Sequence, residues 1–512
     1  MRMLIPRWGL LLAFGSLLGF GCPGSMGDPT TTSDSSGCEL GSDGCGCLDG
    51  GLCDPGLLCA SKLCVPSSDM SDGSTSMTGS TTSSTDSSTN SSSGSGGGGC
   101  TPADDSINQK CANTELSKPY CNLAGKCVDC TGLSACGPEL PVCDADTGAC
   151  VLCLPDDATA CTGQTPVCEG ATNSCVPCIA HAECGIGACN FFTGECLAED
   201  TVIWVDSSDG ACSDSGGSES EPFCSLSDAM ALAVQGNEGE AVIRISGGPY
   251  TNGIVIKAGH KVAMIHGGAG SGFVSISGSG VPTIAVEPGS VAILDGLSIV
   301  DNDSDDGLYS NNALLWIDRS RIERNAGKGL SSEVSSVVAR GVVFTANLGG
   351  GISAAGKGSL LLENSFITEN GSLQTTNGGL MAAGGDLDLV YTTVIGNKAT
   401  IGFAGSVNCT EIAVATIRSS VLVSGGNSVN CTGVLIKNSL IDFASEESSN
   451  LHMQSNDAMM LFSPSMEGVY RVLEMEAAVV GEWSEGDPLV DFEGDARPVG
   501  PEFADYPGAD VP

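Results

Sequence analysis

The feature that most constrains the fold is a column of asparagines. Asn302, Asn325, Asn347, Asn370 and Asn397 are spaced 23, 22, 23 and 27 residues apart, with apolar residues in register around them. Three positions before each stand Ile299, Ile322, Phe344, Ile367 and Val394. Eight before stand Leu294, Ile317, Ala339, Leu362 and Leu389, and ten before stand Ala292, Leu315, Val337, Leu360 and Leu387. Two further units continue the columns with Ala415, Ile417 and Leu422, then Val434, Ile436 and Ile441, so that seven coils align. Apolar positions two apart mark one face of a strand. Their recurrence at a fixed period of about 22 residues is the signature of a stacked solenoid, here one coil of a parallel β-helix. Coils stacked about 4.8 Å apart pair their strands in parallel and align like side chains. The Asn column then reads as a ladder at a turn, its amides bonding along the stack. A leucine-rich horseshoe has a similar period, but the units contain neither a helical segment nor a leucine consensus.

Cys409 and Cys431 test this register independently. Both lie in Asn-Cys-Thr and they are 22 residues apart, so they should be stacked neighbours within disulfide reach. Upstream, Cys212 and Cys224 are expected to close an acidic loop, and Ser225 to Val234 reads as a short helix over the open end of the first coil. The opening strand Val202-Ile203-Trp204-Val205, with that loop and helix, resembles the entry segment of pectin-lyase-like right-handed β-helix proteins. The expected fold is therefore all-β, a right-handed parallel β-helix over 198–445. An acidic segment, 446–512, should pack partly on the last coil and fray from Pro498 onward.

The chain has 27 cysteines, which suits an oxidising compartment rather than a reducing cytosol. Arg2 and Arg7 precede an apolar run from Trp8 to Phe20 that is too short to span a bilayer, so residues 1–21 read as a signal peptide. Leu18-Gly19-Phe20-Gly21-Cys22 resembles a bacterial lipoprotein signal, which implies a lipidated Cys22 and display on the outer membrane or cell surface; ordinary secretion is the alternative. Ser/Thr/Gly-rich linkers at 22–37 and 66–99 flank a small cysteine module at 38–65. Residues 100–197 then hold four units of four cysteines, clearest as Cys130, Cys136, Cys143, Cys150; Cys153, Cys161, Cys168, Cys175; and Cys178, Cys184, Cys189, Cys196. Two disulfides per unit are expected, with connectivity open. The Cys-x-x-Cys boundaries at Cys127/Cys130 and Cys150/Cys153 have zinc-ribbon spacing, but an exported context favours oxidation. The spacing resembles the Dickkopf-like cysteine-rich repeats that precede larger domains in bacterial surface proteins.

A net charge of −41 excludes nucleic acid as a partner, because phosphate binding needs a basic footprint. Enzymes of the fold that cleave polyuronides use an Arg or Lys base and Ca²⁺ held by Asp residues. The corresponding candidates are Arg319, Arg321 and Arg324 as bases and Asp301, Asp303, Asp305 and Asp306 as Ca²⁺ ligands. Against them stands the plainer reading of a solvated turn with surface ion pairs. His181, His260, His266 and His452 are scattered, with His260 and His266 expected at solvent or a turn. No Gly-x-Ser-x-Gly elbow, phosphate loop or His-Glu-x-x-His motif occurs. The favoured reading is an exported, non-enzymatic surface protein whose β-helix binds a glycan or an envelope or extracellular protein, without a cofactor. The alternatives are a Ca²⁺-dependent polysaccharide lyase and a structural stalk or coat component.

Overall fold

The computed structural model describes residues 118–510, except 119, 122–125, 132–135, 198, 236–238, 268–271, 401–404, 413, 426–427, 446, 466–467, 474–479, 485 and 499–503. In the unit spanning Met1–Gly96 it describes only an antiparallel strand pair, Leu57–Ala60 with Leu63–Pro66. The signal peptide, Cys22, both linkers and the rest of the 38–65 module lie outside the described residues. Among those described, no helix is long and apolar enough to cross a membrane.

The rest is a right-handed parallel β-helix preceded by disulfide-rich repeats. Three parallel sheets of ten, eight and nine strands form its faces, here called A, B and C. One coil runs from Val291–Asp295 in sheet A through Leu297–Val300 in sheet C to Leu308–Asn311 in sheet B, and returns to Leu314–Asp318 in sheet A. The columns read from the sequence are the register of the structure. Leu294 pairs with Ile317, and the same column continues through Ala339, Leu362, Leu389, Ile417 and Ile436. The column from Ile299 likewise runs through Phe344 to Ile441. All of these side chains face inward and form one continuous core.

Sheet B lies outside the columns visible in the sequence. Its inward column, Ile284, Leu308, Leu330, Ile352, Leu380 and Val407, was obscured because the loops that lead into it vary in length. Three strands of sheet A also precede the aligned coils, namely Val202–Asp206, Gly239–Ser246 and His260–His266. Helix α1, Leu226–Ala233, closes that end. Ser225 caps its N-terminus by accepting the Asp228 N–H, and Leu226, Ala229, Met230 and Ala233 are buried against the first coils. Disulfides join Cys212 to Cys224 and Cys409 to Cys431.

The corners carry the polar order. Asn325 Nδ2 donates to Asn347 Oδ1 (2.8 Å), Asn347 Nδ2 to Asn370 Oδ1 (2.9 Å), and Asn370 Nδ2 to Asn397 Oδ1 (3.1 Å). Glycines make room for this ladder: a Cβ on Gly329 would stand 2.8 Å from both Asn347 Nδ2 and the Gly351 carbonyl oxygen. A second ladder, of hydroxyls, lines the A-to-C corner. Ser320, Ser365, Ser420 and Ser439 each donate to the carbonyl two residues back and accept a backbone N–H from the preceding coil.

The cysteine units are two-stranded ribbons with first-to-third and second-to-fourth bridges: Cys130–Cys143 and Cys136–Cys150, Cys153–Cys168 and Cys161–Cys175, Cys178–Cys189 and Cys184–Cys196. Cys127 is also disulfide-bonded. The zinc-ribbon spacing is therefore incidental, since each Cys-x-x-Cys joins two units whose sulfurs are already bridged.

The C-terminal segment packs on earlier coils as well as the last. It runs along the outside of sheet C, where Ala458, Leu461, Phe462, Val469, Tyr470 and Val472 cover the outward-facing Val343, Phe366, Ile395, Val421 and Leu440. Near its end the described residues 504–510 are anchored; residues 499–503 and 511–512 lie outside the described residues. Arg497 is buried, donates to Asp505, Asn364 and the Gly508 carbonyl, and lies 3.8 Å over the Tyr391 ring. Ala509 N–H bonds to Thr393 Oγ1.

Candidate functional site

The predicted acidic and basic residues are divided by the geometry of the coil. Arg319 and Arg324 are corner residues with φ of 40° and 55°, at opposite ends of the sheet C strand Arg321–Glu323. Five residues of extended chain put their Cα atoms roughly 16 Å apart. Arg324 does meet the acidic turn one coil away: its Nε is 2.9 Å from Asp301 Oδ1 and its Nη2 3.2 Å from Oδ2. Arg319 instead grips Asp295 through Nε (3.0 Å) and Nη2. Arg321, on the outer face of sheet C, reaches Glu323 at 3.3 Å and lies 5.8 Å over the Phe273 ring.

The carboxylates of the turn are held separately. Asp303 accepts from the Ser279 and Ser304 hydroxyls, which lower its pKa; Asp305 accepts the Asp306 N–H, and Asp306 accepts the Lys328 N–H. Among the described residues, every group of three or more potential metal ligands within 4.8 Å consists of cysteines, and those sulfurs are disulfide-bonded. His260, expected at solvent or a turn, closes a turn and is buried, with Nδ1 3.1 Å from the Ala258 carbonyl oxygen.

The groups that do converge are one strand away, on the outer face of sheet A. Asp295 and Asp318 stack in register there, followed by Arg340 and Glu363. The last cysteine repeat docks over this column. Phe191 stacks on Trp316 (centroids 4.6 Å apart), Phe192 meets the same ring edge-on (5.6 Å), and the Arg340 guanidinium lies 4.6 Å from its centroid. Arg244 donates to the Ile186 and Gly187 carbonyls. His181 accepts the Cys189 N–H at Nδ1 and turns Nε2 to within 3.7 Å of Asp295. Burial, reinforced by Arg244 and Arg319, lowers the His181 pKa to about 4 despite the opposing pull of Asp295. Burial, and then the Asp295 charge, raises Asp318 to about 6 against Arg319 and Arg340. This is a neutral histidine of the docked repeat facing Asp295, with a reluctant carboxylate beside them on the sheet. The 23-residue spacing of Asp295 and Asp318, each directly after a core position, was the available sequence signal.

Sheet B is different. On its upstream strands the outward Val255 stays 42% exposed, and a cavity of about 390 Å³ opens there between the first three strands. Val255, Val281, Pro282 and Pro288 form its apolar wall, with the Tyr309 ring, Glu287 and Asn311 beside them. Tyr309 donates to Glu333 Oε2 (3.3 Å), and Glu287 Oε2 accepts the Ala258 N–H (3.1 Å). That size lies within the range of small-ligand sites.

Comparison with known proteins agrees on architecture. The model of a family described as right-handed beta helix region matches residues 242–399, and that of a family of unknown function matches residues 98–202. No curated protein matches the chain. Among solved structures it is similar to the pectate lyase Pel9A, at 15% identity over 60% of this chain and 96% of that one, with a TM-score of 0.31. It is also similar to a pectin methylesterase from Aspergillus niger, at 13% identity over 50% of this chain and 85% of that one, with a TM-score of 0.26. At such identities and scores, neither likeness bears on activity.

Proposed function

We propose that the chain is an exported surface protein, tethered through a lipidated Cys22, whose β-helix presents the outer face of sheet B to a glycan or protein partner. Its many disulfides fit an oxidising compartment. The observation that carries the reading is the unequal covering of the three faces. The last cysteine repeat covers sheet A over its upstream coils, and the C-terminal segment covers sheet C over its downstream coils. On sheet B, Val255 and Val281 stay exposed at the cavity beside Tyr309. A solenoid face of this kind offers an extended, rigid surface with little ordering cost on binding.

The mature chain, probed on glycan arrays and with envelope extracts, should show a saturable ligand. Tyr309→Ala on sheet B should weaken binding, and Val414→Ala on sheet A should leave it unchanged. The absence of any saturable ligand, or equal sensitivity to both substitutions, would refute the proposal.

A further inference from the structure

We infer that the cavity beside Tyr309 takes a cationic group on a hydrocarbon stem, an arginine or lysine side chain of a protein partner; this rests on sheet B being the presented face. Three observations favour that chemistry over a sugar. The wall is hydrocarbon and open to solvent, with Val255 42% and Val281 56% exposed beside Pro282. A methylene stem covers such a wall without loss, whereas the hydroxyls of a sugar set against it would lose hydrogen bonds. Next, Glu287 lines the cavity with Tyr309 and Glu333 accepts from the Tyr309 hydroxyl, and among the described residues no cation pairs with either carboxylate. Each uses one oxygen, Glu287 for the Ala258 N–H and Glu333 for the Tyr309 hydroxyl, and keeps the other available. An aromatic ring with carboxylates nearby attracts a cation by charge and by its quadrupole. Finally, the Asn311 side-chain amide lines the cavity with no hydrogen-bond partner among the described residues, so its oxygen can accept from a guanidinium or ammonium. The net charge of −41 draws cationic partners toward the molecule from a distance.

The test uses the full chain at physiological salt and three blocked tripeptides, Pro-Arg-Pro, Pro-Lys-Pro and Pro-norleucine-Pro, read by ligand-observed NMR and calorimetry. The arginine and lysine peptides should bind saturably, about tenfold more tightly than the norleucine peptide. Glu287→Gln should remove that difference while leaving norleucine binding unchanged. Tyr309→Ala should weaken all three, and Asp386→Asn on sheet A should change none, which separates the cavity from general attraction to an acidic protein. Equal binding by all three peptides, or insensitivity to Glu287→Gln, overturns the inference. If instead a neutral oligosaccharide binds with Tyr309 dependence and the cationic peptides do not, this inference falls and the presented-face proposal stands. If nothing binds sheet B in a Tyr309-dependent way, both fall.

Discussion

Asn347 sits at the middle of the asparagine ladder, wholly buried, and its replacement by Ala measures what the ladder contributes. Its Oδ1 accepts from the Asn325 N–H (3.1 Å) and from Asn325 Nδ2 (2.8 Å), and its own Nδ2 donates to the Ile322 carbonyl (2.9 Å). Asn347→Ala orphans two donors and one acceptor in a dry corner, while Asn370 Oδ1 keeps the backbone N–H of residue 347 (3.0 Å). A buried unsatisfied group costs about 1–3 kcal/mol; with some relief from water entering the gap, the expected loss is about 3–6 kcal/mol. For a domain of this size that corresponds to a fall in Tm of roughly 6–24 °C. The assay is urea unfolding under oxidising conditions, followed by circular dichroism, with a comparable m-value required because solenoids can unfold in parts. Asn430→Ala serves as the control: Asn430 is exposed and touches Asn408 only at 3.5 Å, so its change should stay within about 0.5 kcal/mol. If Asn347→Ala costs no more than Asn430→Ala, the ladder is ornamental and the reasoning fails.

Three further outcomes are expected. Replacing both Cys409 and Cys431 by Ser opens a loop of 22 residues, and on loop entropy should cost about 3 kcal/mol; a loss under about 1 kcal/mol would show that coil stacking alone fixes the register. Phe191→Ala removes the ring stacked on Trp316 and should loosen the last cysteine repeat, seen as faster hydrogen exchange across Cys178–Leu197 with little change in the β-helix; unchanged exchange would refute the docking role. The pH response of the docked interface contains two opposing parts. His181, lowered to about 4 from 6.5, contributes stability that is complete above pH 6.5 and lost as pH falls through 4. Asp318, raised to about 6 from 3.8, contributes stability that is complete below pH 3.8 and lost as pH rises through 6. Relative to the unsubstituted chain, His181→Gln should therefore lower the slope of stability against pH between 4 and 6, and Asp318→Asn should raise it, by up to about 1.4 kcal/mol per unit. Identical profiles for all three proteins would dismiss the interface as a source of pH dependence.

Core register was legible in the sequence because stacking repeats the same inward position once per coil, and burial admits only apolar side chains there. The Ile299 and Leu294 columns, the Asn ladder and the Cys409–Cys431 disulfide follow from that repetition. Corners are harder to read. Arg319, Arg321 and Arg324 are neighbours in sequence, yet the strand carries Arg319 to the far corner on Asp295, while Arg321 and Arg324 share Glu323. The candidate cavity gave no local signal either, since Val255, Val281, Glu287 and Tyr309 come from three successive coils.

The sequence by itself determined that this chain stacks, at what period and with which side chains inside, since those follow from local alternation and burial. Only the tertiary structure decided which outer faces are covered. The last cysteine repeat settles on sheet A through Trp316, and the C-terminal segment settles on sheet C through Arg497 and its apolar residues. Outward positions have no periodic requirement to reveal them; what lies over them is fixed by contacts between segments more than a hundred residues apart, as between Asn364 and Arg497.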